Sequence, residues 1–246
     1  MADELSFTVV DEASFDDIPA PAASGARCQT CDYWERIDGH REATESSAAR
    51  ELKLSRLMAG ARVAGAYGML AWQTDAGGDR VAVGWAQFGP LAAYPRALSI
   101  RERYPELPDS PAPWVVTCLQ IVSGTPEREM AGAALLSAVC DELDRRGITA
   151  VEAYPEGVAD PWLPSPGPAA IYAAAGFERA ASDDRYPVMR RELGGATEIG
   201  WGDLLSASKP ADESDAWPLP LPKSRSEDDL FRLPEKPKRP NPFGDD

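Results

Sequence analysis

Trp114-Val-Val-Thr-Cys-Leu-Gln-Ile-Val122 is nearly continuous in apolar residues, as a strand buried on both faces should be. Beyond a turn, the segment from about Arg128 to Arg146 carries a helical repeat. Gly132, Leu136, Val139 and Leu143 fall on one stripe, while Asp141, Glu142, Asp144 and Arg145 fall elsewhere. Gly147 stops that helix. Ile148 to Tyr154 then reads as a strand, Pro155 to Pro168 as a Pro/Gly-rich loop, and Ala169 to Ala175 as a short helix ended by Gly176. Phe177 opens another strand, and Tyr186 to Leu193 forms the last.

Upstream, Leu5 to Val10 alternates enough to make a short first strand, and Asp11 to Ala26 is an acidic, then Pro- and Ala-rich loop. Thr44 to Gly60 has the start and stop of a helix. Thr44 stands at the cap, Glu45 in the first turn, Leu52, Leu57 and Met58 on the apolar side, and Gly60 beyond the end. Val63 to Trp72 and Arg80 to Phe88 are β-type segments around Asp75-Ala-Gly-Gly-Asp79, whose adjacent glycines permit the positive φ of a hairpin turn. Gly89 to Pro113 is broken by prolines and reads as an irregular excursion with at most a short helix around Ala97 to Tyr104. The order of elements is mixed α/β.

With 246 residues, 43% hydrophobic and 26% charged, the chain can bury one good-sized core and still have residues left for tails. We read residues 1–193 as one domain and 194–246 as a disordered tail. Past Gly194 there are eight prolines, many charges and few apolar residues, too few to offset the entropy of ordering. A formal charge of −15 and a pI near 4.5 repel phosphate backbones and anionic lipid, so neither nucleic acid nor a membrane surface is the expected partner. A cationic acceptor, such as an amine, is drawn toward the protein. No apolar stretch approaches the roughly 18 residues of a transmembrane helix, and Met1-Ala-Asp-Glu is acidic where a secretory leader is basic. The expected location is cytoplasmic. Four cysteines are too few for a disulfide scaffold in so long a chain.

A strand that feeds a helix through a tight turn presents the helix's uncommitted N–H groups and its positive dipole end, which together attract anions. Ala131, Gly132, Ala133 and Ala134 let a bulky anion come close to the backbone, as a pyrophosphate requires. The same small residues equally suit packing of the helix against a sheet.

The buried strand, the small-residue helix start followed by Leu135-Leu136, and Tyr172-Ala-Ala-Ala-Gly-Phe177 occur in an order that resembles the GNAT superfamily of acyl-CoA-dependent N-acyltransferases. The likeness spans roughly residues 1 to 193 and is strongest from 114 to 180. It implies a central mixed, mostly antiparallel sheet flanked by helices. It also implies acetyl-CoA as cofactor and acetyl transfer to a primary amine, either a small molecule or a protein lysine or N-terminus, by direct attack. The pantetheine arm would pair near Ile121 and Val122 as an added strand does, and backbone amides among Arg128, Met130, Ala131, Gly132 and Ala133 would hold the pyrophosphate. Tyr172 would protonate the departing thiolate, a reasonable exchange between a phenol of pKa about 10 and a thiol of about 8.5. The plain reading of Tyr172 is a half-buried aromatic beside Phe177.

The chain departs from the superfamily's pattern of Arg or Gln, two residues, Gly, one residue, Gly or Ala. Aligned through Leu135-Leu136, Glu127 takes the first position and Met130 that of the first glycine, leaving Gly132 as the match. An acid stands where a cation or amide is usual, with Arg128 the nearby positive charge. That keeps a second reading open: a GNAT fold without turnover that binds or regulates, its tail recruiting a partner. For a general base, Glu35 and Glu152 are the candidates, and each equally reads as a solvated surface acid.

Cys28-Gln-Thr-Cys31-Asp-Tyr33-Trp34-Glu35 can be half a zinc site with His40 downstream, a redox pair, or structural packing. GNAT members with a similar N-terminal motif imply the last, with Tyr33, Trp34 and Glu35 at the acceptor pocket. Cys118 and Cys140 read as small buried hydrophobes. In the tail, Ser226 to Pro234 joins acids to apolar anchors, and Lys236-Pro-Lys-Arg-Pro240 is basic. Such a segment can dock in a partner's groove or serve as a solvated linker.

Overall fold

A computed structural model describes residues 5–20, 27–38, 46–75, 77–109, 111–155, 167–182 and 187–194. His40, Thr44, Tyr186 and the tail motifs lie outside the described residues. Seven strands form one sheet in the order β1-β2-β3-β4-β5-β7-β6. They are β1 Ser6–Val9, β2 Gly68–Thr74, β3 Arg80–Pro90, β4 Trp114–Ile121, β5 Ala150–Ala153, β6 Glu178–Ala181 and β7 Val188–Glu192. Neighbours run antiparallel except β4 and β5, which are parallel. Helices α3 Arg128–Arg145 and α4 Ala169–Ala174 cover one face, and α1 Ser47–Ala64 and α2 Pro95–Arg101 cover the other. The mixed, mostly antiparallel sheet flanked by helices that the sequence predicts is present.

β4 decides the geometry. Along β3 its pairing jumps from Val116 opposite Phe88 to Cys118 opposite Gln87, so Thr117 is an extra residue with no partner of its own. The buried Thr117 hydroxyl donates to the Gln87 carbonyl at 3.3 Å. The bulge flips the facing of the strand. Trp114 and Val116 join the core beneath α3 and α4, but Cys118 joins the core beneath α1, and Leu119 and Ile121 return to the first. Pairing with β5 covers only Trp114, Val115 and Val116, opposite Val151, Glu152 and Ala153. Beyond the bulge the two parallel strands share no rung among the described residues.

Several boundaries differ from the sequence reading for identifiable reasons. α1 is capped by Ser46, whose hydroxyl accepts from the Ala49 amide at 3.0 Å, and it runs through Gly60 to a left-handed Gly65. Gly60 is there for the Tyr67 ring, since a Cβ would lie 2.4 Å from Tyr67 Cδ1. A helix tolerates one interior glycine at about 1 kcal/mol. The expected strand start at Val63 therefore falls inside the helix, and Val63 is exposed. Leu52, expected on the apolar side of α1, is also exposed, and Lys53 is buried in its place. On α3, Glu142 leaves the polar side and is buried, bonded by Arg145 and Arg146.

Glu152, read as a surface acid, is fully buried. It stands opposite Arg190 across the β5–β7 ladder and accepts from Arg190 Nη1 at 2.6 Å, Arg101 Nε at 3.1 Å and the Tyr154 hydroxyl at 2.6 Å. A strand covered on both faces buries both parities, so its one acid had to be paired. Glu152→Ala removes the buried partner shared by Arg190 and Arg101, leaving them only the exposed acids Glu192 and Asp109, and should lose about 3 kcal/mol in urea unfolding. Gly132 is buried where α3 meets α4, and a Cβ there would lie 3.0 Å from Ile171 Cγ2. Gly132→Val should lower stability by about 1–3 kcal/mol through overpacking, read from the same unfolding midpoint.

Candidate functional site

Past Val116, β4 presents a backbone edge that shares no rung with β5 among the described residues. Val122 donates its amide to the Val83 carbonyl at 2.9 Å, which makes 122 and 83 a hydrogen-bonded rung of the β3–β4 ladder. By the alternation of an antiparallel pair, the amide and carbonyl of the preceding residue, Ile121, point away from β3 and toward that edge. The Val122 amide is turned to β3. The Ile121 carbonyl accepts a hydrogen bond from Arg128 Nε at 3.1 Å.

The turn from β4 into α3 is tight. Gly124 has φ +91°, and Glu127, the helix cap, has φ +48°, the one non-glycine in the left-handed region among the described residues. No side chain caps the first turn. The earliest backbone bond of the helix is Ala131 N–H to the Glu127 carbonyl at 3.0 Å, so the amides of Arg128, Glu129 and Met130 precede any intrahelical acceptor. In the same turn the Thr125 hydroxyl is buried without a hydrogen-bond partner.

The side chains around these amides are less suited to an anion. Glu127 and Glu129 are exposed acids, and Met130 is 66% exposed. Ala131 is buried, Ala133 packs on the core, and Gly132 faces Ile171 and Ile121. Their small size therefore serves the joint between α3 and α4, and the backbone rather than the side chains fits a diphosphate.

Tyr172 is fully buried on α4, edge-on to Phe177 with ring centroids 5.2 Å apart. Burial, reinforced by Cys118 and Cys140, pushes its phenol well above the ordinary 10. It is protonated throughout the neutral range and is a weaker acid than free tyrosine.

On the other face of the sheet lies the N-terminal motif. Cys28, Cys31, Tyr33 and Trp34 are all buried in the core beneath α1. Tyr33 stands edge-on to Trp34 at 5.4 Å and carries the Arg96 guanidinium 4.0 Å above its ring. Glu35 accepts from Lys53 Nζ and from Gln87 Nε2 at 2.9 Å. Gln87 in turn accepts from Lys53 at 2.8 Å and donates to the Tyr94 hydroxyl at 3.3 Å, which donates to the Phe88 carbonyl. Burial alone would push the Lys53 ammonium down, but Glu35, with Cys31 and Cys118 close by, outweighs it and holds the group above its ordinary value. Sequence reasoning missed Lys53 and Gln87. A lone amide in Val-Ala-Val-Gly-Trp-Ala-Gln87-Phe was the available signal, because a polar group in a doubly covered strand must find partners.

Burial pushes the Cys28 thiol up to about 12, and Cys31 and Cys118 rise for the same reason. Thiols so held are poor nucleophiles and poor metal ligands at neutral pH. Among the described residues no three His, Cys, Asp or Glu side chains are grouped to hold an ion. Cys28 and Cys31 pack in the core beneath α1, and His40, the further ligand of the zinc reading, lies outside the described residues. A shallow groove of about 740 Å³ runs between the end of β1 and α1, floored by Val9, Leu54 and Met58 and rimmed by Asp11, Glu12 and Glu51. It lies at the β1 edge of the sheet and does not join the β4 edge.

No protein-family profile matches the sequence, and no curated protein does. Among solved structures, the chain is similar to a GNAT-superfamily phosphinothricin acetyltransferase from Sinorhizobium meliloti in complex with AcCoA, at 17% identity and TM-score 0.46, over 87% of this chain and 95% of that one. It is similar to an N-acetyltransferase from Staphylococcus aureus Mu50 at 11% identity and TM-score 0.46, over 77% and 99%. It is also similar to the ribosomal-protein-S18-alanine N-acetyltransferase of Escherichia coli at 14% identity and TM-score 0.41, over 79% and 97%.

Proposed function

We propose that the chain is an acyl-CoA-dependent N-acetyltransferase, with acetyl-CoA as donor and a primary amine as acceptor. The observation that supports this reading is the edge of β4: past the Thr117 bulge, Ile121 turns its amide and carbonyl away from β3, on the side where the described residues give β4 no further rung with β5. An edge of that kind pairs with an amide-bearing arm by adding a strand. The uncapped amides of Arg128, Glu129 and Met130 and the partnerless Thr125 hydroxyl supply donors where a diphosphate would lie. Acetyl-CoA would bring an activated thioester carbonyl.

Tyr172 would assist the departing sulfur. With its phenol held well above 10, complete proton transfer to a thiolate of pKa about 8.5 is uphill, so its contribution is a hydrogen bond to the sulfur as charge develops there. Tyr33, Trp34 and Glu35 would border the acceptor side, since Cys118, which follows the bulge, shares their core. Glu35 and Glu152 already spend their carboxylates on buried cations, so neither is poised to take the amine's proton. That proton would leave to solvent.

A specific observation favours the rival reading of a GNAT fold without turnover: Glu127 and Glu129 flank the very amides the donor needs. Thiol release from acetyl-CoA over a panel of amines separates the two. Turnover by the native protein, with Tyr172→Phe lowering kcat by about 10²-fold while CoA affinity stays within a factor of about two, supports the enzyme. No thiol release, together with no calorimetric heat from millimolar CoA, ends it. With an active amine, log kcat/KM should climb with unit slope until the pH reaches the amine's own pKa. A plateau near pH 6–7 would instead reveal a base in the protein.

A further inference from the structure

We infer that the outer edge of β1, with the groove beside it, binds an extended cationic segment of a partner protein by strand addition. The inference is independent of the acyl-CoA reading. Among the described residues β1 pairs with β2 alone, at one end of the sheet. Val10 donates its amide to the Gly68 carbonyl at 2.9 Å, so 10 and 68 form a hydrogen-bonded rung, and by alternation Thr8 and Ser6 also face β2. Phe7 and Val9 therefore turn their amides and carbonyls outward. Sheet edges are usually guarded by charge or proline, because unpaired donors and acceptors recruit other strands. Residues 5–10, Leu-Ser-Phe-Thr-Val-Val, have neither.

The groove continues this edge. Val9 belongs to both, and α1 supplies the facing wall through Glu51, Leu54, Ser55, Met58 and Arg62, whose spacing by threes and fours is one stripe of a helix. Leu54 and Met58 are half-buried, which leaves apolar surface for side chains that alternate along an added strand. Charge selects the partner. Asp11, Glu12 and Glu51 stand on the rim against the single cation Arg62, and among the described residues no cation is paired with these three acids. The Ser14 hydroxyl and amide donate to Asp11 Oδ1 at 2.7 and 2.8 Å and hold that carboxyl below its ordinary range. A second copy of the chain, itself carrying −15, is opposed by such a rim. The chain's own basic run, Lys236-Pro-Lys-Arg-Pro240, is broken by proline and lacks the continuous amides that strand addition needs. A foreign segment that alternates Lys or Arg with apolar residues meets the edge, the floor and the rim together.

The experiment is calorimetry of the full chain with three short peptides: one alternating lysine with valine, one with glycine in place of valine, and one with glutamate in place of lysine. The variants are Val9→Pro, which removes an outward amide and no bond within the sheet, and the double charge reversal Glu12→Lys with Glu51→Lys. Thermal melting checks that both are folded. N-methylation of alternate residues in the lysine-valine peptide removes its amide donors without touching the protein, so the test stands even if Val9→Pro fails to fold. The lysine-valine peptide should bind, and each variant, and the N-methylation, should weaken it about tenfold or more, with the other two peptides weaker by at least as much. Equal binding of the lysine-glycine peptide, or a lysine-valine affinity unchanged by either folded variant or by N-methylation, reduces the effect to overall charge and overturns the inference. So does the absence of heat from the lysine-valine peptide at about millimolar concentration. A dimer in sedimentation that Val9→Pro dissociates assigns the edge to a second copy and likewise overturns it.

Discussion

One surplus residue organises this molecule. Thr117 has no partner on β3, and the rungs of β4 with β5 stop one residue before it, at Val116 opposite Ala153, where β5 also ends. A buried strand normally spends every amide and carbonyl on the ladders beside it, because an unmet polar group in a core costs about 1–3 kcal/mol. Past the bulge that rule is met differently. The Thr117 hydroxyl donates to Gln87, Arg128 bonds the Ile121 carbonyl, and the strand turns out of the sheet into α3. The flipped facing of Cys118 follows from that insertion.

Two clusters of buried charge lie on the face under α1 and α2, apart from Glu142 on α3. Glu35 with Lys53 and Gln87, and Glu152 with Arg101 and Arg190, are charge clusters in a core otherwise built of Trp, Tyr and aliphatic groups. Such pairs seldom stabilise a fold relative to well-packed apolar side chains of the same volume. They do resist rearrangement, since sliding either strand or helix by one residue would strand an ion in low dielectric. The bulge, the least regular point of the sheet, sits directly beside Gln87, the hub of the first cluster. A network that penalises slippage is well placed there, whatever its net contribution to stability.

The course of the chain was legible wherever one physical signal dominated. Trp114 to Ile121 reads as a strand because nearly every residue is apolar, and Arg128 to Arg145 as a helix because its apolar stripe keeps a 3.6-residue period. Reading failed where two signals competed. Gly60 looks like a stop, but the Tyr67 ring needs the space that glycine leaves, and the helix continues. Lys53, Glu142 and Glu152 look like surface groups until partners distant in sequence are known, and no local pattern supplies Gln87 to Lys53 or Arg190 to Glu152. The site divided along the same line. The strand position of Ile121 and the helix position of Tyr172 were legible from their segments, whereas the bulge is a property of pairing and leaves no mark in the sequence of β4 alone.

Whether acids at the start of α3 forbid a diphosphate is a question of magnitude. A carboxylate about 7 Å from a phosphate and in water repels it by about 0.6 kcal/mol, and salt screens that further. Glu127 and Glu129 are exposed, so the solvent value applies to them. A hydrogen bond from an amide or guanidinium to a charged oxygen contributes about 1.5–3 kcal/mol, and the first turn presents three amides before any side chain is counted. Two solvated acids therefore weaken such a site without reversing its sign.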